Sequence, residues 1–139
     1  MTRFDRTALV QGAITSLLFG VPFSVAARLV ADRTDSRGLA SLLSLAALAG
    51  FFVGSGVAAW IQRTGLPLLH GIACAAVTYS AAQAVFIVVK LWRGGDVSWL
   101  GVLFNLSAVL FVGTVGGVFG SGLQRRGVVP RSHARRDPT

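Results

Sequence analysis

The segment Gly113–Gly127, GTVGGVFGSGLQRRG, is apolar and rich in glycine until it breaks on two arginines. Its counterpart stands 62 positions earlier at Phe51–Gly65, FFVGSGVAAWIQRTG, and also ends on Gln-Arg-x-Gly. Val53, Gly54, Gln62, Arg63 and Gly65 are matched by Val115, Gly116, Gln124, Arg125 and Gly127. Small residues at i, i+4, i+8 line one side of a helix and let backbones meet closely inside a membrane. Both segments therefore read as membrane helices that pack on glycine and leave the bilayer at a basic turn.

The rest of the chain has the same character. Of its 139 residues 53% are hydrophobic and 13% charged, with a mean hydropathy of +0.68. A soluble domain carries about 25% charged residues. Thr7–Ala27, Gly38–Gln62, Thr64–Val89 and Val97–Gln124 hold no Asp, Glu, Lys or Arg. Each is longer than the ~20 residues that cross a hydrocarbon core as a helix. The first is also longer than a signal-peptide core, so it is read as a retained span. The fold class expected is all-α: a four-transmembrane-helix bundle over residues 1–123, with spans at about 8–30, 39–61, 68–92 and 99–123. Residues 124–139 form a basic tail, expected to be disordered because it has few apolar residues to bury.

Rows of small residues extend the resemblance between the two halves. In the first span Ala8, Gly12, Ser16, Gly20 and Ser24 lead to Arg28. Sixty-two positions on, His70, Cys74, Thr78, Ala82 and Phe86 lead to Lys90. The second span has Ala46, Gly50, Gly54 and Ala58, matched in the fourth by Ala108, Val112, Gly116 and Gly120. The fourth has a further row, Gly113, Gly117 and Ser121. The expectation is two tandem helical hairpins related by an internal repeat, with Gly50, Gly54, Gly113, Gly116, Gly117 and Gly120 as helix-packing faces. The second row on the fourth span suggests a face for another subunit.

Charge sets the orientation. The net charge of +8 sits at the ends of apolar segments, where it directs topology; nucleic acid is not expected as a partner. Arg3, Arg6, Arg63, Arg125, Arg126, Arg131, Arg135 and Arg136 share the face of the two termini. Arg28, Arg33, Arg37, Lys90 and Arg93 lie on the other. Eight against five places both termini in the cytoplasm of a bacterial inner (plasma) membrane. The tail arginines, with Arg63, are expected to meet lipid headgroups.

The chemistry is thin. All five Asp residues fall in the leader, the connectors or the tail, and there is no Glu. The carboxylate that ion-coupled carriers use at membrane depth is missing from every span. Cys74 is single and His70 has no ligand partner at metal spacing, so no metal site, cofactor or catalytic set is expected and the chain does not read as an enzyme. Intramembrane polar groups remain, and Gln11, Thr15, Tyr79, Gln83 and Asn105 are the candidates for a polar cavity. Two functional readings follow. One is an accessory protein that forms homo-oligomers, or joins a membrane-protein partner, through its glycine faces. The other is a small channel or transporter for a neutral or anionic solute or lipid, acting as a dimer. Convergence of the polar candidates on one cavity would favour the second.

Overall fold

The computed structural model describes residues 4–128. They form four helices: α1 (Arg6–Arg33), α2 (Arg37–Ile61), α3 (Pro67–Trp92) and α4 (Trp99–Arg125). All four are long and apolar enough to cross a membrane, and the chain has the architecture of a multi-pass membrane protein. Among the described residues there is no strand.

Local chemistry sets where each helix starts and stops. Asp5 caps α1, its carboxylate accepting from the amides of Thr7 and Ala8 at 3.1 and 3.2 Å. Pro67 opens α3 at a position where its missing N–H costs nothing. Ser98 caps α4 by accepting from the Gly101 amide. Past α3, Gly94 takes φ +74°, as glycine readily does after a helix. Pro22 lies inside α1 without ending it. The helices overrun the expected spans at several ends, taking in Arg6, Asp32, Arg33 and Arg37. Hydropathy marks where charge begins, whereas the helix continues until its hydrogen-bond ladder is capped.

The helices do not pack evenly. α2 touches all three others, as does α3, while α1 and α4 do not touch each other. α1 and α2 meet through glycine and serine. A β-carbon on Gly12 would sit 2.6 Å from the Gly54 carbonyl oxygen and 2.7 Å from Ala58 Cβ. One on Gly50 would sit 2.9 Å from the Gly20 nitrogen. One on Gly54 would fall on the Ser16 hydroxyl. No side chain fits at these contacts, and the backbones lie as close as helices can.

Both glycine rows of α4 are covered within the same chain. Gly116 and Gly120 face Phe52, Gly56 and Ala59 of α2. Gly113 and Gly117 face Leu68, Gly71 and Ala75 of α3, where a β-carbon on Gly71 would come within 2.7 Å of Gly117 Cα. This corrects the reading of the second row as a spare face for another subunit. α4 needs two glycine faces because it is wedged between α2 and α3.

The two Gln-Arg-x-Gly tetrads differ in backbone. α2 ends at Ile61, leaving Gln62 extended at φ −59°, ψ 147°, whereas α4 runs on through Gln124 to Arg125. The difference follows from what comes next, since Gln62 must start a turn that delivers Pro67 into α3. Gln62 is fully buried and organises that turn. Its side-chain oxygen accepts from the Thr64 amide at 2.8 Å, the Thr64 hydroxyl at 3.0 Å and the Leu66 amide at 3.3 Å. His70 is also fully buried at this end. Its Nε2 accepts from the Asp5 backbone N–H at 2.9 Å, and its Nδ1 lies 2.8 Å from the Leu66 carbonyl oxygen. Because that carbonyl can only accept, Nδ1 is the ring nitrogen that donates.

Candidate functional site

The helices do not close against one another from mid-bundle toward the end opposite the termini. A cavity of about 310 Å³ lies there, lined by all four helices. Leu48, Phe51 and Val109 give it apolar walls, and Phe51, a buried residue, stands edge-on to Tyr79 with ring centroids 6.4 Å apart. A second cavity of about 160 Å³ lies against α3 and α4 and reaches Lys90 and Ser98. Arg28, Gln83, Phe86 and Asn105 line both. The two adjoin at these four residues and are together called the vestibule, with Leu48, Phe51 and Val109 in the first and Lys90 in the second.

The polar expectations divide in space. Tyr79, Gln83 and Asn105 come together on the vestibule. The Tyr79 hydroxyl donates to the Val102 carbonyl at 3.1 Å, while the side-chain amides of Gln83 and Asn105 make no hydrogen bond with a described residue. Gln11 and Thr15 do not join them. Gln11 is exposed, and the Thr15 hydroxyl donates at 2.9 Å to the Gln11 carbonyl one turn back, a bond within α1. This corrects the grouping of five. Gln11 and Thr15 share a face of α1 that does not turn toward the vestibule.

Arg28 is the site residue that the sequence reading passed over. Its guanidinium carbon stands 4.7 Å from the centre of the Phe86 ring, in cation–π contact. No described residue forms an ion pair with it. No carboxylate lines either cavity. The signal was present in the row Ala8, Gly12, Ser16, Gly20, Ser24, Arg28. That row packs α1 against its neighbours, and Arg28, which ends it, is exposed where the row reaches the rim of the two cavities.

Below Phe51 the interior is polar in places but tightly filled. The hydroxyls of Ser16, Ser55 and Thr78 are buried without a hydrogen-bond partner among the described residues. Cys74 is free and buried beside the Leu9 and Gly54 carbonyls. Among the described residues no three His, Cys, Asp or Glu side chains are grouped to hold a metal.

At the other end, Arg63, Arg125 and Arg126 are exposed. Arg131, Arg135 and Arg136, and the expected disorder of the tail that carries them, lie outside the described residues. No protein-family model, curated protein or solved structure matches this chain.

Proposed function

We propose that this chain is a ligand-binding membrane protein, a small carrier or solute receptor, and that the vestibule is its binding site. The observation that carries this reading is the meeting of Arg28, Tyr79, Gln83 and Asn105, from three helices, on one cavity with apolar walls. Ligand sites are typically concave and mostly apolar with a few convergent polar groups, and a volume of about 300 Å³ is at the lower end of their range. A chain built only to pack has no reason to leave two amides and a guanidinium around a cavity.

Phe51 and Tyr79 meet edge-on at the inner end of the vestibule, above the close glycine contacts between helices. This favours a binding or carrier role over an open pore. The accessory reading rested on glycine rows for a partner, and those rows are occupied within the chain. Self-association would have to use other surfaces.

The excess of arginine on the side of the termini supports cytoplasmic termini in a bacterial plasma membrane. The vestibule would then open on the opposite, outer side. Cysteine labelling of intact cells tests site and orientation together. Gln83→Cys and Asn105→Cys should react with a membrane-impermeant maleimide added outside, and Gln11→Cys should not. Buried Cys74 supplies a silent background. Labelling of Gln83→Cys and Asn105→Cys no faster than that of Gln11→Cys in intact cells, and also in inverted vesicles, would remove the vestibule from consideration; labelling in inverted vesicles alone would reverse the orientation.

A further inference from the structure

The vestibule has a chemical polarity that its volume alone does not convey. Its inner wall is Leu48, Phe51 and Val109, with no charge. At its other end stand Arg28 and Lys90, with the amides of Gln83 and Asn105 beside them. The carboxylates nearest in sequence, Asp32, Asp35 and Asp96, are exposed and line neither cavity. The Arg28 guanidinium is exposed at the edge of an apolar cavity with no carboxylate beside it, so it is open to an anion arriving from outside. It is stacked on Phe86, which holds the planar group in place while leaving its N–H donors available. Arg presents those donors in a fork that matches the paired oxygens of carboxylate or phosphate.

Resting on the vestibule as a ligand site, we infer that its ligand is a single-chain anionic amphiphile: a carboxylate or phosphate headgroup held by Arg28, with an apolar tail laid against Phe51, Leu48 and Val109. Lys90 adds a second positive charge at the mouth. Gln83 and Asn105 complete the headgroup's hydrogen bonds. A free inorganic anion would leave the apolar wall unused, and a neutral amphiphile would leave the guanidinium unanswered. A cavity of about 310 Å³ takes in one short chain.

The test is native mass spectrometry of the full-length protein, released from a neutral polyoxyethylene detergent, with three probes: decyl phosphate, decanol and inorganic phosphate. Decyl phosphate should form a one-to-one adduct at concentrations at least tenfold below those needed for the other two. Arg28→Gln should weaken the decyl phosphate adduct at least tenfold and leave decanol unchanged. Arg28→Lys should retain part of the affinity, and Arg6→Gln, at the opposite end, all of it. A thermal melt of each variant confirms that it is folded, and the selectivity of the unaltered protein stands without any variant. Equal binding of decanol and decyl phosphate would overturn the anionic headgroup while leaving the vestibule as a ligand site. Inorganic phosphate binding as tightly as decyl phosphate would overturn the tail. If none of the three binds, the vestibule fails as a ligand site and this assignment falls with it.

Discussion

Gln62 and Gln124, 62 positions apart, are clasped side chain to side chain where α2 and α4 end. The Gln62 side-chain nitrogen donates to the Gln124 side-chain oxygen at 3.1 Å, and the Gln124 nitrogen donates back to the Gln62 backbone carbonyl at 2.9 Å. Trp60 adds a third tie, its indole N–H donating to the Val128 carbonyl. Two matched glutamines thus meet each other, one extended and one helical.

Replacing Gln62 with Ala removes one partner from several bonds at once and strands the Thr64 and Leu66 amides. Leaving a buried polar group unsatisfied costs roughly 1–3 kcal/mol. Gln62→Ala should therefore lower the melting temperature in detergent clearly more than Gln124→Ala, whose side chain is exposed. The double variant should lose less than the sum of the two, because residues in one network couple.

Glycine substitutions separate helix propensity from packing. Alanine favours a helix over glycine by about 1 kcal/mol. At Gly122, where an added β-carbon meets nothing within 4 Å, Gly122→Ala should be neutral or stabilising. At Gly54 the added carbon collides with Ser16 and the Gly12 carbonyl, so Gly54→Ala should destabilise by about 1–3 kcal/mol despite the propensity gain. Unfolding by sodium dodecyl sulfate, followed by circular dichroism, gives both signs. A loss at Gly122 or a gain at Gly54 would contradict the packing described.

His70 ties the start of α1 to α3. His70→Phe keeps a ring in place beside Phe4, whose centroid stands 5.3 Å away, but removes the acceptor for the Asp5 amide. Hydrogen exchange should accelerate at the backbone amides of Asp5 and its neighbours while those of α2 and α4 hold their protection. Uniform acceleration would mean that the ring supports the whole bundle.

Cys74 reports on global opening. It is 1% exposed, in the bundle interior. A small uncharged maleimide should leave it unmodified in the native protein and react only as the bundle unfolds. Its labelling rate should therefore rise in Gly54→Ala and Gln62→Ala in proportion to their loss of stability.

The four helices were legible because hydrocarbon imposes one strong rule, an uninterrupted apolar segment of sufficient length. The glycine rows were legible as packing surfaces because their period is helical. Their partners were not, since Gly113 and Gly117 could equally have faced α3 or another chain until α3 was placed beside them. Tyr79, Gln83 and Asn105 could be named as polar residues in apolar surroundings. Their separation from Gln11 and Thr15 depends on which side of α1 meets α2, which periodicity alone does not give. His70 showed only the lack of a ligand partner, because what it does bind is a backbone amide 65 positions away, and backbone donors carry no sequence signature.

The Gln62–Gln124 clasp and the His70 tie hold the bundle at the end of the termini, and the glycine contacts carry close packing up to Gly20 and Gly50, where Phe51 and Tyr79 begin the vestibule. Such a molecule is stiffest at its clamped end, because any shift there breaks many backbone-to-backbone contacts at once. On the function proposed, a ligand entering the vestibule would re-seat side chains around it and leave those contacts in place.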